Sequence, residues 1–189
     1  AALALCAAGT AAIIVAPLAG NAVPVLANYI PVIDNAVFLG GLGALGAGVA
    51  LAIVRTFLAT RTSSAAPGGD DALRWGIVGS AIATAMALAA FGWSWTEVSP
   101  HLERKAYFEL LFWGGGHVLQ FTWTLLMLVA WLWLAGALGL RPALSPRVTL
   151  VVLTIALASV FVTPAIYLAH PVASVEHHKL QTWLMRFGG

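Results

Sequence analysis

Charge is what this chain has least of. Only 8% of its 189 residues are Asp, Glu, Lys or Arg, against 61% hydrophobic. A water-soluble domain of this length could not cover so much apolar surface with so few polar groups. The composition therefore points to a membrane, with lipid as the surrounding medium. Cysteine is nearly absent too: Cys6 stands alone in an Ala-rich run, which excludes an internal disulfide and a thiolate metal cluster. A formal net charge of +2, with the basic residues scattered between apolar runs, gives no footing for nucleic acid, and no such partner is expected.

The beginning lacks an initiator Met and a basic segment: AALALCAAGT is already apolar sequence and does not read as a signal peptide. At the other end TWLMRFGG stops as another apolar segment begins. Residues 1–189 are expected to form a single transmembrane domain within a longer chain.

What is present is a series of apolar runs. About 20 residues of helix cross a bilayer, and residues 1–20, 31–59, 73–95, 106–138 and 148–170 qualify or nearly so, with another run starting near Leu180. The expected fold is an all-α polytopic transmembrane bundle of five spanning helices plus the start of a sixth, joined by short polar turns. Arg55, Arg61, Arg74, Arg141 and Arg147 flank two loops on one side, against Asp70 and Asp71. On the other side Arg104, Lys105 and Lys179 are matched by Glu97, Glu103 and Glu176. The positive-inside rule places the loops in the 60s and 140s in the cytoplasm. The fourth helix then enters from the outer face, with His117 about eleven residues, or roughly 16 Å, inside it. His170, His177 and His178 fall at or just beyond the outer end of the fifth.

An ionisable residue inside a spanning helix is expensive and faces a partner or a cavity. His117, in WGGGHVLQF, is read as a metal ligand or as an interhelical hydrogen-bonding group. Gly114, Gly115 and Gly116 would clear room for a large cofactor or a close helix, although three glycines weaken a helix by about 1 kcal/mol each relative to alanine. Trp113, Gln120, Phe121 and Thr124 share the face of His117, and Gln120 and Thr124 are expected around it. Trp113, Trp123, Trp131 and Trp133 read as lipid or interface contacts. His177 and His178 would diverge by about 100° on a regular helix, so they suit a metal at a helix end, or else form a solvated pair. His170 is an alternative inward-facing histidine, and His101 is expected in solvent. Imidazoles without carboxylate or thiolate partners suit copper, zinc or haem iron.

A lone histidine in one helix, as in FWGGGHV, followed one helix later by the pair in EHHK, resembles the catalytic subunit I of the haem-copper oxidase superfamily. NYIPVIDNAVFLGG and TWLMRFGG are similar to divergent members of it. The resemblance spans most of the chain. It implies that His117, His177 and His178, with His170 as a substitute, hold copper or iron facing a haem. The haem's axial histidines would lie outside these residues. Many oxidases have a tyrosine four residues after the first ligand; here that position is Phe121. Tyr167 would stand in for it, as in one branch of the family. Nitric oxide reductases lack that tyrosine and use a glutamate near the metal, a role that Glu109, two turns before His117, would take only by reaching in.

The implied activity is reduction of O2 to water or of NO to nitrous oxide by a respiratory-chain subunit in a bacterial inner membrane. Its partners would be other respiratory subunits and a cytochrome or quinol donor. Two alternatives stand beside it: a b-type haem electron carrier using His117 and His170, and a non-catalytic membrane subunit.

Overall fold

The computed structural model describes residues 1–18, 20, 23–62, 71–140 and 144–188. Asp70, Arg141 and the Arg61 side chain, which enter the charge argument for orientation, lie outside what is described. The elements, in order, are α1 (Ala2–Val15), a 3-10 turn (Ala16–Leu18), β1 (Pro24–Val25), β2 (Val32–Ile33), α2 (Ala36–Thr62), α3 (Asp71–Glu97), α4 (Arg104–Ala137), α5 (Pro146–Val160), α6 (Thr163–Ala169) and α7 (Val175–Phe187).

Among the described residues the architecture is all-α apart from one two-residue ladder, in which Pro24 pairs with Ile33 and Val25 with Val32. Among the described residues, four segments are long and apolar enough to cross a membrane: Ala36–Thr60, Asp71–Glu97, Arg104–Ala137 and Pro146–Ala169. The expected first span is not among them. The apolar helical segment Ala2–Leu18 reaches about 26 Å at 1.5 Å per residue, short of the roughly 30 Å hydrocarbon core. The run expected from residue 31 also starts later, because Val32–Ile33 pairs as a strand before the helix opens at Ala36.

Small residues set how α1 lies on α2. A Cβ at Gly9 would meet the backbone of Leu45 and Gly41, and one at Gly48 would meet Cys6. The two backbones thus approach as closely as glycine permits, which is how membrane helices gain dispersion energy where lipid offers no hydrophobic drive.

The expected fifth span is two helices. Pro164 has no N–H to donate to the carbonyl of Val160, and its ring crowds that carbonyl. The chain instead makes tighter turns, with Phe161 N–H donating to Ala158 and Val162 N–H to Ser159 at 3.2 and 3.1 Å, and α6 restarts at Thr163. Ser159 Oγ donates to the carbonyl of Gly188, so α7 folds back past α6 and its end meets the end of α5.

At the start of α4, the Glu103 carboxylate accepts from the N–H groups of Lys105 and Ala106 at 3.0 and 3.1 Å. Those two bonds hold its pKa below the ordinary carboxylate value. Beside it, Arg104 pairs with Asp34, tying the strand pair to the helix that carries His117. The main core joins α3, α4 and α5 through Ala83, Ala87, Val118, Phe121, Leu125, Leu153 and Leu157.

Candidate functional site

The three consecutive glycines of α4 each receive a different aromatic ring. A Cβ at Gly114 would overlap the hydroxyl of Tyr167, one at Gly115 the ring of Phe91, and one at Gly116 the ring of Tyr29. The room expected for a large cofactor at these positions is taken by the chain's own side chains from α3, α6 and the segment after β1. The glycines thus bring rings from three other elements against the helix just before His117.

His117 is buried. Its Nδ1 lies 2.7 Å from the carbonyl of Trp113, which fixes the proton on Nδ1, since a lone pair facing a carbonyl at that distance would be repelled. Nε2 is then an acceptor. The hydroxyl of Thr182 stands 3.3 Å from it, but that hydroxyl has one proton, and the carbonyl of His178 takes it at 2.8 Å. The Nε2 lone pair of His117 is left over.

The same arrangement recurs on α7. Ser174 caps this helix by accepting from His177 N–H at 3.1 Å. His178 Nδ1 lies 2.9 Å from the carbonyl of Ser174, and His177 Nδ1 lies a longer 3.4 Å from the carbonyl of His170. His177 is fully buried, and its Nε2 has no partner. Burial pushes its pKa below the ordinary imidazole value, keeping the ring neutral. His117, His177 and His178 therefore all turn Nδ1 towards a backbone carbonyl, the arrangement that orients metal-ligating imidazoles.

Aromatic rings connect them. Trp113 touches both His117 and His178, with ring centres 4.9 and 4.8 Å away, and its Nε1 donates to the carbonyl of His178 at 3.4 Å. Trp113 thus belongs to the site rather than to lipid, whereas Trp123, Trp131 and Trp133 are exposed as the sequence predicts. The Tyr167 ring meets His177 edge-on at 4.6 Å. Its hydroxyl donates to Ala90 at 3.1 Å and shares a 2.8 Å bond with Ser94.

The remaining expectations divide. Phe121, at the position of the family's tyrosine, packs into the apolar core. Glu109 is half-buried and precedes His117 by eight residues, about 12 Å of helix rise; it enters none of the hydrogen bonds at the histidines. His170 contributes its carbonyl to His177, and its half-buried ring ends α6. Gln120 donates to the Tyr29 hydroxyl at 3.3 Å, and the Tyr29 ring packs on His117 at 4.9 Å, so Gln120 acts at one remove. Burial pushes the Tyr29 pKa up to about 12, keeping it a neutral phenol. Thr124 bonds back to its own helix at Gln120. His101 is exposed.

Gln181 and Thr182 were not singled out from the sequence. Gln181 is fully buried, with both amide atoms unpartnered, while α7 turns Val175, Trp183 and Phe187 outward. The signal was the double spacing of four in HHKLQT, which sets His177 over Gln181 and His178 over Thr182.

The resemblance implies a haem and a second metal, and the fit can be judged on donor chemistry. Three imidazoles with oriented rings, one carrying an orphaned buried nitrogen, suit copper or iron. Among the described residues no three His, Cys, Asp or Glu side chains yet converge as a metal-holding group.

No family model matches this sequence, and no solved structure matches it. It is similar to Uncharacterized protein RP382 of Rickettsia prowazekii (strain Madrid E), at 29% identity over 137 residues, covering 70% of this chain and 26% of that protein. The chain thus spans about a quarter of the length of the curated relative it matches.

Proposed function

We propose that this chain is the central part of a membrane-embedded haem-copper-type reductase, in which His117, His177 and His178 hold a redox metal. One observation carries the reading. Three imidazoles on two helices all present Nδ1 to a backbone carbonyl, and the nearest hydroxyl does not satisfy Nε2 of His117. A buried nitrogen acceptor without a donor costs about 1–3 kcal/mol, so the unpartnered Nε2 of His177, with Nε2 of His117 facing only a hydroxyl that donates elsewhere, calls for an occupant.

The bound metal and a facing haem would supply the one-electron steps and the polarisation of a diatomic substrate. The chain's own residues do the rest. Ser174, His170 and Trp113 fix the tautomers, and the glycines seat Tyr29, Phe91 and Tyr167 against α4. Tyr167 keeps a hydroxyl proton on a Ser94–Ala90 hydrogen-bond pair beside His177. The substrate is O2, going to water, or NO, going to nitrous oxide. Electrons come from a cytochrome or quinol through partner subunits. The apolar helices suit a bacterial inner membrane, with the first apolar helix completing five spans, α7 opening a sixth and the loops of the 60s and 140s in the cytoplasm.

A second reading, a non-catalytic membrane subunit with structural histidines, is favoured by the absence of a converged ligand group among the described residues. Copper and iron analysis with a reduced-minus-oxidised spectrum of the purified full-length protein separates the two. Haem plus a second metal is expected; a protein with neither would leave the structural reading.

A further inference from the structure

We propose that the aromatic rings around the histidines form a relay that carries a single oxidising equivalent from the interior to Trp93, at the end of α3. The rings follow one another without a gap. Tyr29 and Trp113 have ring centres 6.2 Å apart. Trp113 touches His178 at 4.8 Å, His178 and His177 are 6.2 Å apart, His177 meets Tyr167 at 4.6 Å, and Tyr167 meets Trp93 at 5.2 Å. Every spacing is within the range of directly interacting aromatic pairs.

The redox-active stations are Tyr29, Trp113, Tyr167 and Trp93, and the two imidazoles bridge the middle. Packing alone would be satisfied by Phe and Leu. What marks a relay is its far end, where the indole N–H of Trp93 donates to the Glu97 carboxylate at 2.6 Å, a short charge-assisted bond. An indole that loses one electron becomes a strong acid, and here its proton has a carboxylate to go to. The Tyr167 hydroxyl has only a backbone carbonyl and Ser94. The vacancy therefore settles on Trp93.

The balance is simple. The oxidant gains one electron; each ring passes one electron inward and receives one from its neighbour; Trp93 ends one electron short as a neutral indole radical, with its proton on Glu97. For its natural oxidant, a one-electron oxidant that the metal site would supply, the relay rests on the metal-site reading above. Its physics does not, so the test supplies the oxidant separately.

The full-length protein with Cys6→Ala and Asn28→Cys would carry a ruthenium polypyridyl label on the exposed residue beside Tyr29, oxidised by flash and quench. A transient indole radical signal is expected, part of which disappears in Trp93→Phe. That same part should disappear in Trp113→Phe, which keeps a ring and removes the oxidisable indole. If Trp93→Phe changes nothing, or if Trp113→Phe leaves the Trp93 signal intact, the relay is overturned. A working relay in a protein without metal would overturn the metal site alone, and a metal-loaded protein without the signal would overturn the relay alone. Should Trp113→Phe fail to fold, Tyr167→Phe makes the same cut further along, with the same two outcomes.

Discussion

The Tyr167 hydroxyl occupies the space where Gly114 would carry a side chain. That one contact joins α6 to α4 one turn before His117 and sets the phenol edge-on to His177. A Cβ at Gly114 would displace it. Gly114→Ala should cost about 1–3 kcal/mol by overpacking, offset in part by about 1 kcal/mol of helix propensity, read as a lower unfolding temperature in detergent. Tyr167→Phe removes the overlapping oxygen, so the double variant should be more stable than the sum of the single effects. Additive effects would mean that the two residues do not meet.

Thr182 offers a test of the His117 tautomer. If its proton stays on the carbonyl of His178, Thr182→Val should change stability by less than about 1 kcal/mol and leave metal content unchanged. A loss in the upper part of the about 1–3 kcal/mol range expected for an orphaned buried acceptor would show that the hydroxyl satisfies Nε2 and that the histidine is structural.

Glu103 makes the entry to α4 sensitive to acid. Its folded pKa is depressed by the N–H groups of Lys105 and Ala106, so its contribution is present above the unfolded carboxylate pKa and is lost as pH falls through the folded one. Glu103→Ala should therefore be less stable than the parent at neutral pH, with the difference closing in acid. A difference that stays constant across that range would mean the carboxylate does not cap the helix.

Pro164 is responsible for the break between α5 and α6. Pro164→Ala restores a donor and removes the ring clash, so helix content by circular dichroism should rise. Tyr167 should lose its place at Gly114, and the loss should show as weaker coupling in the double-variant cycle above. Unchanged helix content would place the cause of the break elsewhere.

The apolar runs were legible because hydropathy and length alone define α3 and α4, whose observed ends lie within about two residues of the expected ones, the usual scatter of helix boundaries. The break at Pro164 was hidden because hydropathy does not register a missing backbone donor, and Val160 to Tyr167 carries no charged residue. The lone His117 and the pair His177–His178 stood out by their rarity in apolar sequence. Trp113 reads as a lipid or interface contact although its spacing sets it on the face of His117, because nothing within α4 shows that His178 of α7 packs against that ring. Thr182 and Tyr29 meet His117 only through the folding of α7 and of the segment after β1 onto α4, contacts that no local spacing encodes.

The central claim is that His117, His177 and His178 share one metal. Metal-edge X-ray absorption of the purified full-length protein tests it most directly. The account predicts imidazole nitrogen scattering around copper or a second iron, with the second metal lost in His117→Ala while the haem remains. A second metal retained at full occupancy with an unchanged nitrogen shell in His117→Ala would contradict it.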